Sequence, residues 1–297
     1  MKVSGFTIVR NAIKFDYPIV EAIQSILPVC DEVVVAVGKS EDDTLALIKS
    51  INSPKIKIIE TVWDDSLREG GRVLAVETDK AFRAISSDSD WAFYIQADEC
   101  VHEKDLGKIK SAMEKYVDDK NVEGLLFDYM HFYASFDYVA NSRRWYRNEI
   151  RIIRNNKNIS SFRDAISFRK NQNNNSNAGE KLSVKHIDAN IYHYGWVKHP
   201  AIQQQKRNEF EKLWHSDEYV QKKVATSDEF DYGKIDSLEL FKGEHPKVIQ
   251  ERIKKQNWEF SYDPTKKIKT TFKISFMNFL ENVTGLEIGR FRNYKLV

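Results

Sequence analysis

Short apolar runs alternate with helix-spaced apolar positions through the first third of the chain. Runs rich in branched and aromatic residues predict strands at 3–9, 32–37, 56–60 and 91–95. Between them apolar residues recur every three or four positions, which predicts helices, and the first of these begins at Pro18. Strands joined through helices require right-handed crossovers. The pattern therefore predicts an α/β fold with a mostly parallel, Rossmann-like sheet that is flanked by helices.

After a further predicted strand at 123–129 this alternation stops. Residues 142–155 are dense in arginine, and residues 171–179 form a polar stretch that is typical of a loop. Pro200 then begins a long predicted helix that ends near Trp214. The second half of the chain is thus organised differently from the first.

Length and charge limit the domain organisation and the partners. With 297 residues the chain can bury a large core. We predict one α/β domain over 1–215 and a mainly helical C-terminal extension over 216–297. The 46 Lys and Arg residues nearly balance the 44 Asp and Glu residues, and a net charge of +2 argues against a dedicated nucleic-acid-binding protein.

Cysteine use and hydropathy bear on the compartment. Cys30 and Cys100 are too few for a disulfide scaffold and are wrongly spaced for a metal knuckle, which favours a reducing environment. No basic leader with an apolar core precedes the first strand, and no apolar run is long enough to cross a membrane. We therefore expect a cytoplasmic protein.

Two adjacent acids close the strand at 91–95 and are the strongest chemical signal in the chain. Gln96, Asp98 and Glu99 follow this strand and lie at its C-terminal edge. Open α/β sheets bind ligands at that edge, and a carboxylate there suits a divalent cation held with a phosphorylated ligand. The alternative is that Asp98 or Glu99 caps the helix predicted at 104–117.

Several motifs, in this order along the chain, resemble the GT-A fold of glycosyltransferase family 2. Arg10 and Asn11 close the first strand, Asp-Asp-Thr at 42–44 starts a helix, and Gln-Ala-Asp-Glu at 96–99 looks like the acidic element of that family. His-Tyr-Gly-Trp-Val at 193–197 looks like a later segment of a subset of its members. The resemblance covers roughly the first 215 residues.

The resemblance implies a hexosyltransferase-type glycosyltransferase. Such an enzyme transfers a sugar from a nucleotide-diphosphate sugar to an acceptor hydroxyl, with inversion, in glycan or polysaccharide synthesis. It implies a divalent cation, Mn²⁺ or Mg²⁺, as cofactor, and a glycan or a lipid-linked molecule as acceptor. The charge that develops on the departing diphosphate is the main electrostatic demand of this reaction.

The acidic element and the later histidine are the implied cation ligands. The resemblance assigns Asp98 and His193 to the metal, with Glu99 beside them. Gln96 stands where the family usually has its first Asp, which removes one negative charge and still allows contact with a ribose hydroxyl. His193 lies among tyrosines and a tryptophan, so a packing role is the alternative.

The donor site is assigned by the same resemblance. Asp43 or its neighbour Asp42 would stand in for the acid that reads the nucleobase in many members, and an ordinary helix N-cap is the alternative for Asp43. Arg147 and Arg151 would clamp the diphosphate or an anionic acceptor, or they form a solvated strand face. Trp196 would stack on a sugar, or it belongs to the core. The predicted donor residues are Arg10, Asn11, Asp43, Gln96, Arg147, Arg151 and Trp196.

Two carboxylates are candidates for the catalytic base, Asp164 and Glu149. We favour Asp164, because its position between the arginine-dense segment and the polar loop suits the acceptor side. A salt bridge with a neighbouring arginine is the alternative for each. For Asp164 the partner would be Arg163 or Arg169, and for Glu149 it would be Arg147 or Arg151.

Two other classes of function compete with the transferase. The Gln at position 96 motivates a non-catalytic sugar-nucleotide or glycan-binding module. A dinucleotide-dependent dehydrogenase is disfavoured, because no Gly-x-Gly-x-x-Gly follows the first strand. The basic, aromatic segment 266–297 has two interpretations, a peripheral contact with anionic lipid or a helix packed on the domain, and we prefer the second.

Overall fold

The computed structural model describes residues 1–67, 69–172, 179–224, 227–263, 265, 268, 270–284, 289 and 291–297. Most of the polar stretch predicted as a loop at 171–179 lies outside these residues. The strands are β1 Val3–Val9, β2 Glu32–Gly38, β3 Ile56–Thr61, β4 Trp91–Tyr94, β5 Glu99–Val101, β6 Gly124–Tyr133, β7 Tyr138–Ala140, β8 Asn148–Arg154, β9 Ile159–Phe162, β10 Ser167–Lys170, β11 Glu180–Trp196, β12 Leu238–Leu240 and β13 Tyr294–Leu296. The α-helices are α1 Ile19–Ile26, α2 Thr44–Lys49, α3 Arg72–Arg83, α4 Leu106–Tyr116, α5 Pro200–Glu211, α6 Asp217–Lys223, α7 Gln250–Lys254 and α8 Phe272–Thr284.

The first four strands form a parallel sheet in the order β3-β2-β1-β4. All four were predicted at these positions, and the helices between them supply the crossovers. The α/β class is therefore confirmed. Their carboxyl ends, including those of the neighbouring strands β1 and β4, meet at one edge of the sheet.

Alternating side chains of these strands pack into two cores, one on each face of the sheet. Val33 and Val35 of β2 pack in the core that contains α1 and α4, whereas Val34 packs on the opposite side with Phe82 of α3. Period-two alternation with apolar residues on both faces is the mark of a sheet covered by helices on both sides. The two buried cores hold the carboxyl ends of the strands in place.

Beyond β4 the sheet becomes mixed. β8 runs antiparallel to both β4 and β6, and β11 runs parallel to β6. β9 and β10 extend the far edge in antiparallel order. The prediction of a mostly parallel sheet thus holds for the first four strands, and the arginine-dense segment contributes the antiparallel strand β8.

The acidic element does not begin a helix. Asp98 lies in the turn between β4 and β5, and Glu99 is the first residue of β5, which pairs antiparallel with β11. α4 begins only at Leu106, after His102 has accepted a hydrogen bond from the Lys104 amide at the preceding turn. The helix-cap interpretation of these two acids is therefore wrong.

Residues after 215 add both helices and strands to the domain. β12 pairs with β7 and β13 pairs with β11, so the segment is less helical than predicted and joins the main sheet. Large apolar side chains on α8, Phe272, Phe276 and Phe279, are exposed. No helix in the described ranges is long and apolar enough to span a bilayer. The boundary at 215 and the peripheral lipid contact stay predictions.

Candidate functional site

A cleft of about 480 Å³ opens where β1 and β4 end. Its other sides are closed by the turn between β9 and β10, by the end of β11 and by one face of α5. Six of the predicted site residues line it: Arg10, Gln96, Asp98, Asp164, His193 and Trp196. The parallel strands of an open α/β sheet bind ligands at this edge. The cleft is therefore the candidate active site.

Asp98 lies at the floor of the cleft and is surrounded by positive charge. Lys206 of α5 donates to Asp98 Oδ2 at 3.1 Å, and His193 Nε2 lies 3.8 Å from Oδ1. Burial opposes ionisation of Asp98, but the charges of Lys206 and Lys198 outweigh burial and hold its pKa below the usual value. Asp98 is therefore an anion at any physiological pH.

Gly195 leaves open the space in front of these two groups. A Cβ atom at this position would lie 2.6 Å from both Asp98 Oδ2 and His193 Nε2. Only a residue without a side chain allows the carboxylate and the imidazole to face the same small volume. The Gly of the predicted His-Tyr-Gly-Trp segment thus shapes this corner of the cleft.

A second histidine orients the first. His193 of β11 lies opposite His131 of β6, and the two Nδ1 atoms are 3.3 Å apart. His131 Nε2 lies 2.9 Å from the Tyr146 carbonyl, which can only accept, so Nε2 carries the proton and His131 Nδ1 accepts from His193. That leaves the lone pair of His193 Nε2 directed at the space beside Asp98, as a cation ligand requires. Burial lowers the pKa of His193, which favours this neutral form.

Glu99 is not available to a cation. Arg151 Nε and Nη2 donate to its two oxygens at 2.8 and 2.7 Å, and both side chains are fully buried. The Tyr129 hydroxyl and the backbone N–H of Gln96 also donate to this carboxylate. The expectations that Glu99 binds the metal and that Arg151 clamps a diphosphate are therefore corrected. The pair instead fixes the turn that carries Asp98.

Asp164 reaches the cleft from a tight turn between β9 and β10. The residues on either side of it, Arg163 and Ala165, have positive φ values of 56° and 61°. The Gln96 side-chain amide donates to the Ala165 carbonyl at 3.1 Å and so ties this turn to the acidic element. Strained backbone of this kind persists where the surrounding structure holds it, often at functional sites.

Asp164 has the environment of a proton acceptor. Burial raises the pKa of its carboxyl, and the charge of Arg163 only partly opposes this effect. Gly71 packs against it so closely that a Cβ there would lie 2.8 Å from Asp164 Cβ. No ion pair joins Asp164 to Arg163 or Arg169 among the residues described, so the salt-bridge alternative fails.

The other base candidate, Glu149, lies outside the cleft. It lines a neighbouring pocket of about 370 Å³ together with Arg147. Burial raises the pKa of Glu149 to about 8, and Arg151 opposes this rise only in part. Arg147 contacts Glu281 at 3.8 Å in the same region. The structure thus separates Glu149 and Arg147 from Asp98 and His193.

Two predicted donor residues, Asn11 and Asp43, lie outside the lining of the cleft. Asn11 is buried, and its side-chain oxygen accepts from the Glu41 amide at 2.8 Å. Asp43 is exposed in the turn before α2, where Asp42 rather than Asp43 accepts from the Thr44 amide. Neither lines the cleft. Trp196 does line it, and its ring also stacks on Tyr133, so it packs with core residues, while stacking on a sugar stays a prediction.

Sequence reasoning missed Lys206, His131 and Trp63. Lys206 donates to Asp98 and to the Gly195 carbonyl, and Tyr17 and Asp98 hold its pKa above the usual value although burial opposes its charge. A signal was present for it, because Gln203, Lys206 and Phe210 share one helical face. His131 and Trp63 reach the site only through tertiary contacts.

The residues of this corner fit a hard divalent cation held with a diphosphate. Asp98 provides a carboxylate and His193 an imidazole nitrogen, and Gly195 leaves room between them. In the described part of the chain no three His, Cys, Asp or Glu side chains converge on one point. Mg²⁺ and Mn²⁺ sites commonly complete a small protein ligand set with substrate phosphates and water.

The comparisons with known proteins show a limited similarity of the backbone fold and nothing more. No family model and no curated protein matches. S. aureus TarS matches with a TM-score of 0.38 and 17% identity over 71% of this chain and 39% of that chain. Glucosyl-3-phosphoglycerate synthase from Mycobacterium tuberculosis, in complex with Mn²⁺, UDP and phosphoglyceric acid, matches with 0.29 and 18% over 44% and 43%. A 4-diphosphocytidyl-2C-methyl-D-erythritol synthase from Anaerococcus prevotii matches with 0.37 and 11% over 74% and 96%. Likeness at this level assigns no activity.

Proposed function

We propose that this protein is a glycosyltransferase that moves a sugar from a nucleotide-diphosphate sugar to an acceptor hydroxyl. The observation that carries the proposal is the corner of the cleft where Asp98, His193 and Lys206 converge over Gly195. An ionised carboxylate, a neutral imidazole and an ammonium group within one small volume suit a cation-bound diphosphate. The cleft volume of about 480 Å³ suits a ligand of that size.

The nucleoside of the donor is expected at the end of the cleft formed by Arg10 and Trp63. The Arg10 guanidinium lies 4.5 Å from the centre of the Trp63 ring, which gives a flat, positively charged wall. The Nε1 edge of the Trp63 ring is buried against Gly38, which fixes the ring in this wall. The wall itself supports binding of an aromatic base.

Asp98 and His193 would hold the divalent cation, Mn²⁺ or Mg²⁺, which when bound neutralises charge on the diphosphate. Lys206 would turn from Asp98 toward a phosphate oxygen, since its ammonium group already lies at the mouth of this corner. A preorganised positive charge where negative charge develops is the largest single contribution to catalysis in many enzymes. Lys206 is thus assigned to the leaving group.

Asp164 is assigned as the base. In the transfer, the acceptor oxygen forms a bond to the anomeric carbon while the bond from that carbon to the diphosphate oxygen breaks with its electron pair. The acceptor proton moves to Asp164, whose raised pKa makes it a stronger proton acceptor than an exposed carboxylate. Attack on the face opposite the leaving diphosphate inverts the anomeric configuration. We expect the reaction to serve glycan or polysaccharide synthesis in the cytoplasm, where the buried thiols Cys30 and Cys100 would stay reduced.

A hydrolysis and transfer assay tests the proposal. The full chain is incubated with a panel of sugar nucleotides, with Mn²⁺ or with a chelator, and release of nucleoside diphosphate is measured. We expect release from at least one donor, lost with the chelator and lost in Asp164→Asn without loss of donor binding. Binding of donors without any release would support the non-catalytic module instead, and no binding of any donor would overturn the proposal.

A further inference from the structure

The pocket beside the cleft, which we call the arginine pocket, has the features of a binding site of its own. It measures about 370 Å³ and shares two wall residues, Tyr146 and Ile166, with the cleft. Asp164 faces the cleft, whereas its neighbour Arg163 lines the arginine pocket. The arginine pocket and the cleft are therefore adjacent, and the turn at 163–164 contributes a residue to each.

Positive charge dominates the wall of the arginine pocket. Its arginines are Arg143, Arg144, Arg147, Arg163 and Arg292. Two carboxylates hold some of them in place: Glu281 contacts Arg143 and Arg147, and Asp236 lies 3.6 Å from Arg144. The guanidinium of Arg163 is exposed and adds planar N–H donors to this wall. Such a wall recognises phosphate or carboxylate groups.

A buried polar atom of the arginine pocket lacks a hydrogen-bond partner in the described structure. Asn293 is 7% exposed, and its oxygen accepts from Arg169 Nε at 2.6 Å, while its Nδ2 donor has no partner. A buried donor without a partner is costly, and an acceptor on a ligand would remove that cost. The Asn293 amide would donate to a ligand oxygen.

We propose that the arginine pocket binds the anionic group of a hydroxylated acceptor, a sugar or polyol that carries a phosphate or a carboxylate. This inference rests on the proposed function, because it names the acceptor class for the same reaction. The anion would lie among the guanidinium groups and the Asn293 amide. The ligand would pass Tyr146 and Ile166, and its reacting hydroxyl would meet Asp164 in the cleft.

Binding of three monosaccharides to the full chain tests the proposal directly. Glucose 6-phosphate, glucuronate and glucose are titrated by calorimetry with the cleft saturated by the nucleoside diphosphate and Mn²⁺. We expect at least one of the two anionic sugars to bind at least tenfold more tightly than glucose, and the better of the two tells phosphate from carboxylate recognition. Equal affinity for all three, or binding of none, would overturn the proposal.

Two substitutions test whether the anion lies in the arginine pocket. Arg163→Gln removes an exposed guanidinium, and Asn293→Asp keeps the oxygen that accepts from Arg169 but replaces the donor with a negative charge. We expect each to weaken binding of the anionic sugar at least tenfold. Lys157→Gln is the control, because it removes an exposed positive charge outside both pockets. The affinity of this variant for the anionic sugar should stay within twofold of the wild type. Unchanged affinity in both pocket variants would overturn the assignment.

A cleft variant separates this inference from the proposed function. Asp98→Asn should abolish binding of nucleoside diphosphate with Mn²⁺ and leave binding of the anionic sugar by the free protein intact. Loss of anion binding in Asp98→Asn would place the anion in the cleft and refute the arginine pocket. Anion binding without any nucleotide binding in the wild type would refute the proposed function alone.

Discussion

At the scale of single residues, the cleft depends on a position that carries no side chain. Gly195 permits Asp98 Oδ2 and His193 Nε2 to face the same volume, and a methyl group there would lie 2.6 Å from each. With a methyl group at this position, the Asp98 carboxylate or the His193 imidazole would have to move away to restore an ordinary contact distance. The glycine therefore belongs to the binding geometry as much as the two ligands do.

We predict that Gly195→Ala lowers the affinity for nucleoside diphosphate with Mn²⁺ by more than tenfold, because the added methyl group fills the corner. Gly107→Ala is the matched control, since Gly107 lies in α4 with no atom within 4 Å of its Cβ position. That control should bind normally and gain up to about 1 kcal/mol in the free energy of unfolding. Titration calorimetry and thermal denaturation measure both quantities, and equal affinity in the two variants would refute the role of Gly195.

Glu149 makes the stability of the protein depend on pH. Burial raises its pKa from the usual 4.5 to about 8, so between these values the folded state holds a proton that the unfolded state has lost. The free energy of unfolding therefore falls as pH rises from 4.5 to 8. We predict that Glu149→Gln removes a decrease on the order of 2–5 kcal/mol between pH 5 and pH 8.5. Urea denaturation at several pH values measures this, and parallel pH profiles of variant and wild type would contradict it.

At the scale of elements, the turn between β4 and β5 is held by a buried ion pair. Arg151 of β8 donates to both oxygens of Glu99, and neither side chain has any exposed surface. The two residues are 52 positions apart in sequence. The pair joins β5 to β8, which are linked in the sheet through β11 and β6. It keeps Asp98 at the cleft floor.

We predict that Arg151→Met lowers the free energy of unfolding by about 3–5 kcal/mol, because it leaves a buried carboxylate without its partner. The double variant Arg151→Met with Glu99→Leu should recover part of this loss, since it removes both charges from the interior. Chemical denaturation of the two single variants and the double variant gives the coupling energy. Additive losses would show that the pair does not act as a unit.

The elements that sequence patterns predict are those whose signal is local. The strands at β1 to β4 follow from their own apolar runs, and Asp98 follows from the abrupt change in polarity at the end of β4. β5 has only three residues, too few for a period to be recognised, and so the acids were open to interpretation as a helix cap. The partner of Glu99 and the contact between His193 and His131 arise only when distant strands pair. No single-residue pattern contains that information.

At the scale of the whole molecule, the C-terminal segment braces the wall of the cleft. Arg252 of α7 donates to Asp16 at 2.5 Å and to Glu21 at 2.7 Å, and its Nη2 donates to the Tyr17 carbonyl. Tyr17 lines the cleft, and the Lys206 ammonium lies 4.8 Å from its ring centre. A residue more than two hundred positions away in sequence thus supports the binding surface.

We predict that Arg252→Ala lowers the free energy of unfolding by about 1–3 kcal/mol, because two carboxylates and a carbonyl lose a charged donor. It should also weaken nucleoside diphosphate binding by a few fold through Tyr17. Lys254→Ala, which breaks an exposed pair on the same helix, is the control and should change neither quantity measurably. Calorimetric titration with denaturation tests both effects, and identical behaviour of the two variants would contradict the bracing role.

The measurement that bears most directly on the account is nucleoside diphosphate binding with and without Mn²⁺, followed by thermal shift. The wild type should gain melting temperature with at least one nucleoside diphosphate only when Mn²⁺ is present. Asp98→Asn should lose that gain, and Asp43→Asn, an exposed acid outside the cleft, should keep it. A full Mn²⁺-dependent shift in Asp98→Asn would contradict the assignment of this carboxylate to the cation and the diphosphate.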